Sequence, residues 1–340
     1  MERLRCAVIG LGRLGWRHAV HLKATIPQAQ LVAVSETNDE QLGRFIDLHS
    51  DVKPYSSYQD LLQAPDIDAV VIASSTNTHT AMVRSAIKAK KAIFCEKPLS
   101  MELSEALEIQ AMLSKERTFF QLGFMRRFDP AYTSAMNRIE RGDVGSAISL
   151  RAVSRDPGCP PLAFAKSSGG LVMDLCVHDL DLRRWFSKSE ATEIYARGSA
   201  IRYPELGSLG DIDHVDITLT FANGFLATVE GSRNSQYRYD VRTEIVCTQG
   251  ALFVGKLEED SLLTLRSEGV CVPTVPGFLQ RFETAYRLEL EAFVSDVLEN
   301  RQPSVGVEDG IHAQRLAEAA NQSLVRGKPI RLTNEKEDEQ

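Results

Sequence analysis

Six residues near the start constrain the fold more than any others in the chain: Gly10-Leu11-Gly12-Arg13-Leu14-Gly15. They follow a short apolar run, Arg5 to Ile9, and open a helical stretch from about Leu14 to Thr25. At a strand-to-helix turn the three glycines do separate work. The first permits the tight turn, the second lets the backbone approach a pyrophosphate, and the third lets the helix pack on the sheet. The pyrophosphate would then face helix N–H groups and the positive end of the helix dipole. Gly10 through Gly15, with Leu11, Arg13 and Leu14, therefore read as a dinucleotide site. Glu36 stands 21 residues after Gly15, just past a second β-rich run, Leu31 to Ser35. A carboxylate there can accept hydrogen bonds from both ribose hydroxyls and repel a 2′-phosphate, so NAD is expected over NADP. The other reading of Glu36 is an ordinary charged residue after a strand.

The pattern continues as alternating strands and helices. A charged helical segment runs near Glu40 to Leu48, and Ala69 to Ala73 is an uninterrupted apolar run suited to a strand buried on both faces. His79 to Lys90 reads as a helix, Ala92 to Cys95 as a strand, Ser104 to Lys115 as a helix and Thr118 to Leu122 as a strand. This alternation means an α/β N-terminal domain with a Rossmann-type, doubly wound parallel sheet, expected over residues 1–123. After Gly123 strands dominate: Ala147–Ser154, Ala191–Ala200, Val215–Phe221, Phe225–Ser232 and Arg242–Val246, with Asn223-Gly224 as a hairpin turn. Helical stretches lie at about Leu175–Phe186, Glu283–Leu298 and Gly310–Val325. The expectation for 124–332 is an α+β C-terminal domain with an open, mostly antiparallel sheet, followed by a charged tail at 333–340.

A chain of 340 residues is long enough for two such domains. Its net charge of −7, without a long Lys/Arg block, argues against nucleic acid or an anionic membrane as the main partner. No signal-peptide pattern and no membrane-length apolar run is visible. The six cysteines, at 6, 95, 159, 176, 247 and 271, form no C-x-x-C pair and no zinc-spaced cluster, which reads as buried reduced thiols, a cytoplasmic setting and no metal.

Two further groups carry chemistry. Glu96-Lys97-Pro98 ends the Ala92–Cys95 strand, where ligands of open α/β sheets bind. A lysine there can stabilise a developing alkoxide, although a lysine after a strand is commonly solvated surface. Asp174 and His178, four residues apart in a helical stretch, share a face, so the carboxylate can orient the imidazole as a general base. A structural hydrogen bond is the bland alternative, and a metal site including Asp181 is another.

With these residues assembled, the chain resembles the glucose–fructose oxidoreductase and inositol 2-dehydrogenase (Gfo/Idh/MocA) family from about Arg5 to Pro329. The resemblance rests on the glycine fingerprint, Thr76-Asn77-Thr78-His79, Glu96-Lys97-Pro98 and Asp174-x-x-x-His178. It implies Lys97, Asp174 and His178 as the catalytic set and a cis Lys97–Pro98 bond. It also implies that Ser74, Ser75, Thr76, Asn77, His79, Glu96, Lys97 and Arg126 lie at the cofactor. Finer features resemble the inositol branch: Gly123-Phe124-Met125-Arg126-Arg127-Phe128-Asp129, Arg155-Asp156-Pro157, Tyr237-Arg238-Tyr239-Asp240 and Arg281-Phe282-x-x-Ala285-Tyr286. By this likeness Met125, Arg126, Asp156 and Tyr239 join Lys97, Asp174 and His178 at the substrate, with packing the competing role for Tyr239 and Phe282. Glu36 in place of the more usual aspartate, and the Cys159-Pro160-Pro161 loop, depart from the common pattern.

The expected activity is NAD-dependent oxidation of a ring secondary alcohol of myo- or scyllo-inositol. The rivals are another sugar, sugar phosphate or carbasugar as substrate, or a catalytically silent NAD-binding regulator. The family likeness implies a homodimer or homotetramer packed through sheet faces of the second domain.

Overall fold

The computed structural model describes residues 3–332; the charged 333–340 segment lies outside the described residues. Six strands build the first sheet: β1 (Leu4–Ile9), β2 (Ala29–Ser35), β3 (Lys53–Tyr55), β4 (Ala69–Ile72), β5 (Ala92–Glu96) and β6 (Phe120–Gly123). Between them run helices α1 (Arg13–Ala24), α2 (Asp39–Leu48), α3 (Tyr58–Gln63), α4 (Thr76–Lys88) and α5 (Leu103–Glu116). The spatial order is β3-β2-β1-β4-β5-β6, and every pair is parallel. The order reverses between β1 and β4, the switch point at which such sheets take their ligands. All four residues of β4 are buried, as its unbroken apolar run requires. Local signals set the helix starts: Asn38 accepts from the Gln41 N–H to begin α2, and Ser57 from the Asp60 N–H to begin α3.

The second sheet contains β7 (Ala147–Arg155), β8 (Ala191–Ser199), β9 (His214–Phe221), β10 (Leu226–Ser232), β11 (Asp240–Cys247) and β12 (Gly250–Val254). A separate hairpin pairs β13 (Thr264–Arg266) with β14 (Gly269–Cys271), and β15 (Ile330–Arg331) joins the second sheet beside β8. Its order is β12-β11-β7-β10-β9-β8-β15. β7 and β10 run parallel and the other neighbours antiparallel, so the sheet is mixed but mostly antiparallel, as expected. The β9–β10 hairpin turns at Asn223-Gly224, where Gly224 has φ +83°. Helices α6 (Pro130–Glu140), α7 (Leu162–Ser167), α8 (Val177–Ser187), α9 (Pro204–Gly207) and α10 (Phe278–Arg281) accompany this sheet, and α11 (Glu283–Leu298) and α12 (Val307–Arg326) follow.

Packing groups the chain into two units, and the first is discontinuous in sequence. Residues 3–128 pack with Thr284–His312, and Asp129–Glu283 packs with residues 313–332. The first unit thus extends beyond a single cut after Gly123. The cause is α11: Leu290, Phe293 and Val294 are fully buried in one core with Leu22, Val34, Val71 and Phe94. Each such side chain contributes about 1.5–3 kcal/mol when removed from water.

Candidate functional site

The glycine loop has the geometry its spacing demands. Gly10 has φ +91°, and a Cβ there would lie 2.8 Å from the Ala73 carbonyl oxygen at the end of β4. A Cβ on Gly15 would collide with the Gly10 carbonyl, whereas one on Gly12 would meet nothing within 4 Å. The open side at Gly12 is where a pyrophosphate can approach, and α1 begins there without a side-chain cap or an acidic residue in its first turn. Glu36 reaches back to this loop: its Oε2 accepts the Leu11 N–H, and its Oε1 accepts the N–H groups of Thr37 and Asn38.

Beyond β4, Ser74 Oγ and Thr78 Oγ1 are 2.8 Å apart, and Thr78 Oγ1 donates to the Ser75 carbonyl. Thr76 starts α4, with Asn77 exposed beside it. His79 turns inward: Nδ1 lies 2.8 Å from the Pro98 carbonyl oxygen and Nε2 lies 3.1 Å from that of Ser74. It is a buried link between two strand ends, and burial pushes its pKa down. The Lys97–Pro98 bond is cis, and Lys97 is half-buried at the end of β5. Glu96 is buried with its carboxylate on His18 Nε2 at 2.7 Å. Met125 and Arg126 lie buried in a 3-10 turn, Met125–Phe128, directly after β6.

In the second unit, Asp174 sits in a π-helical turn, Val172–Cys176, that runs straight into α8, whose second residue is His178. Such turns insert an extra residue into a helix and recur at functional sites. Gly231 of β10 leaves room for the turn, because a Cβ there would collide with Cys176 Sγ. α8 is fixed on the sheet by polar contacts. Ser154 Oγ donates to Asp179 Oδ2 at 2.7 Å, and Arg183 Nη2 donates to the Thr228 carbonyl at 2.7 Å. His178 is buried and Asp174 half-buried. Asp156 follows β7 and is tied through its backbone to Ser232 and Ser235. The Tyr239 ring is buried edge-on to Phe282, centroids 6.4 Å apart.

Among the described residues, one trio of metal-capable side chains converges: His18, Glu96 and Glu289. It includes neither Asp174, His178 nor Asp181. Glu289 drew no attention in the sequence, yet a signal was present. It occupies the apolar stripe of α11, four residues after Ala285 and four before Phe293, both buried.

Residues 4–124 match the model of an oxidoreductase family with an NAD-binding Rossmann fold, and residues 132–253 match the GFO/IDH/MocA C-terminal domain. The chain belongs to the GFO/IDH/MocA oxidoreductase family. It is 36% identical to the scyllo-inositol 2-dehydrogenase (NAD(+)) of Bacillus subtilis over 335 residues, 97% of each chain. With the myo-inositol 2-dehydrogenase of Thermotoga maritima it shares 35% over 330 residues, 97% of this chain and 98% of that one. The structure of scyllo-inositol dehydrogenase from Lactobacillus casei with bound NAD(H) and scyllo-inositol superposes with a TM-score of 0.92 at 30% identity, covering 97% of this chain and 99% of that one. NAD is the cofactor of this fold, and the open Gly12, the uncapped start of α1 and the pre-set Glu36 carboxylate fit it.

Proposed function

We propose that this chain oxidises a ring secondary alcohol of an inositol, myo or scyllo, to the corresponding ketone. The observation that carries this reading is likeness over 97% of the chain, through both units, to relatives named for those two activities. Lys97, Asp174 and His178 form the catalytic set. Asp174 orients the His178 imidazole, which accepts the proton of the reacting hydroxyl, while the Lys97 ammonium stabilises the negative charge growing on that oxygen. Bound NAD supplies the hydride acceptor. Gly10 to Gly15, Glu36, Ser74 to Asn77, His79, Glu96 and Arg126 serve the cofactor side, His79 by holding Ser74 and Pro98 in place. Met125, Arg126, Asp156 and Tyr239 shape the substrate side.

The test is NADH formation across myo-, scyllo- and chiro-inositol, glucose, xylose and their phosphates, with NAD and NADP each supplied. Turnover of an inositol with NAD is the expected result, and the rates rank the stereoisomers, which identities of 36% and 35% do not. Turnover confined to a linear or phosphorylated sugar would replace the substrate and keep the chemistry.

The chain acts as a homodimer or homotetramer in the cytoplasm. Two observations support this. One face of the second sheet exposes Leu226, Val246 and Phe253, the last 75% accessible, with Thr220 paired to Leu226, Ser149 to Val246 and Glu244 to Phe253. The six cysteines are all free thiols; Cys6, Cys95, Cys176 and Cys247 are buried as expected, whereas Cys159 is half-buried and Cys271 is exposed, against that expectation. No helix among the described residues is long and apolar enough to cross a membrane. Light scattering on the purified protein should return two or four times the chain mass; a monomer would remove the assembly.

A further inference from the structure

Three ionisable side chains meet inside the first unit, and the chemistry just described leaves their meeting unexplained. His18 comes from α1, Glu96 from the end of β5 and Glu289 from α11, and they are 0%, 7% and 0% exposed. A ligand atom of each lies within 4.8 Å of the other two. The His18 ring is edge-on to Phe94 and Tyr286, with Nε2 2.7 Å from Glu96 Oε1. Both carboxyl oxygens of Glu289 are buried without a hydrogen-bond partner, as is His18 Nδ1. Glu96 Oε2 lies against Gly123, where a Cβ would come within 3.0 Å of it.

Two ionised carboxylates this close in a buried, low-dielectric interior repel one another, and burial raises the cost of each charge. A proton or a cation relieves this. The spacing favours the proton, because 2.7 Å between His18 and Glu96 is a hydrogen bond, shorter than the roughly 3.3 Å between two ligands of a tetrahedral zinc ion. Glu96 already has His18 as a partner, so the neutral acid is Glu289, and burial beside Glu96 pushes its carboxyl well above the usual range. One of its oxygens lies within 4.8 Å of the ligand atoms of both Glu96 and His18.

The cluster lies next to Lys97 in the chain. Glu96 precedes it, and His79 holds the Pro98 carbonyl on its other side, so half-exposed Lys97 stands between two buried anchors. We propose that His18, Glu96 and Glu289 form one buried proton-sharing cluster, in which Glu289 is a positioning residue for Lys97. The proposal rests on reading Lys97 as catalytic. A protonated Glu289 adds no second carboxylate charge to the pocket, so Glu96 stays on His18 and the turn carrying Lys97 keeps its place. The charged and titratable groups around the cluster are Arg17 and His21 on α1, His79 on α4, Cys95 and Lys97 at β5, and Arg287 on α11. From β6, Gln121 donates to the Glu289 carbonyl.

The experiment compares Glu289→Gln, a neutral isostere that keeps a donor, with Glu289→Met, which has none, and with Lys97→Met. Steady-state rates are read alongside the infrared carbonyl stretch of a protonated carboxyl at neutral pH and the metal content of the wild-type protein. Met should lower kcat about tenfold or more with KM for NAD unchanged, and Gln should hold kcat within about threefold, since misplacing a reacting group by an ångström costs up to about a hundredfold. The infrared band should be present in the wild type and missing from both variants. Wild-type kcat in Glu289→Met, equal losses in Met and Gln, no band in the wild type, or one bound divalent ion lost in Gln would each overturn the proposal. Failure of the underlying reading looks different: Lys97→Met would keep wild-type turnover, and the infrared band would still decide whether Glu289 carries the proton.

Discussion

Glu36 Oε2 accepts the backbone N–H of Leu11 at 2.7 Å and so ties the end of β2 to the glycine loop. Its Oε1 accepts from Thr37 at 2.8 Å and Asn38 at 3.0 Å. The Thr37 hydroxyl also donates to Oε1 at 3.3 Å, whereas Oε2 takes only the Leu11 N–H among the described residues, so the second lone pair of Oε2 remains for a ribose hydroxyl while the group is already oriented. Glu36→Ala should lower kcat/KM with NAD by about tenfold or more, given about 1.5–3 kcal/mol for a hydrogen bond to a charged group. It should also raise the NADP/NAD ratio of kcat/KM, because the charge that repels a 2′-phosphate is gone. An unchanged ratio would show that Glu36 does not set the preference.

The catalytic assignments separate binding from chemistry. A general base is worth about 10²- to 10⁴-fold, so His178→Ala should cut kcat by at least about a hundredfold while NAD affinity, read by fluorescence quenching, is kept. Asp174→Asn should lower kcat less than removal of the imidazole, because the ring survives and only its orientation and charge balance change. Equal rates in His178→Ala and wild type would remove His178 from the mechanism.

Two buried histidines make stability sensitive to acid. Burial, followed by the nearby His18, Arg17 and Arg287, pushes His21 down to about 4, and burial also lowers His79. A histidine with a depressed folded pKa takes up its proton more readily when unfolded. Its contribution is therefore full above about pH 6.5 and is lost as pH falls toward 4, at up to about 1.4 kcal/mol per pH unit for one proton. Melting temperature should fall across that window, and His21→Asn should show a shallower fall than wild type. Parallel curves would exclude His21 as a source.

The nucleotide half was legible because each of its signals is local. A glycine loop, an unbroken apolar strand and an acid after β2 each report their own backbone. Less was readable where partners are distant. The α11 stripe of Ala285, Tyr286, Leu290 and Phe293 announces a buried face but not what buries it, so its packing against Phe94 and Leu22 emerges only in three dimensions. Glu289 in that stripe makes sense only once Glu96 is seen beside it. Helix α6 was missed although its start is written plainly, with Pro130 first and Asp129 accepting from the Ala131 and Tyr132 N–H groups. The π turn at Asp174 has no sequence signature, since spacing of four residues suits either kind of helix. Short β3, β12 and β15 borrow their order from neighbouring strands and carry little pattern of their own.

The support of the Asp174 turn gives the last prediction. Asp211 Oδ1 accepts the N–H groups of Leu171 at 2.9 Å and Ile212 at 2.8 Å, and its other oxygen pairs with Arg233, which is 1% exposed. Leu171 is the residue before the π turn, so this buried ion pair fixes the place where Asp174 begins its reach. Gly170, with φ +78°, lies so close that a Cβ would stand 2.7 Å from Asp211 Oδ1. Asp211→Ala leaves a buried guanidinium without its anion and should cost about 3–5 kcal/mol in urea unfolding. Gly170→Ala should cost about 1–3 kcal/mol through its left-handed backbone and the displaced carboxylate. Both should lower kcat more than they raise KM for NAD, because the cofactor residues lie on other segments. The two substitutions disturb one contact, so the double variant should lose less stability than the two single losses combined. Full additivity would mean that Gly170 and Asp211 support the turn independently.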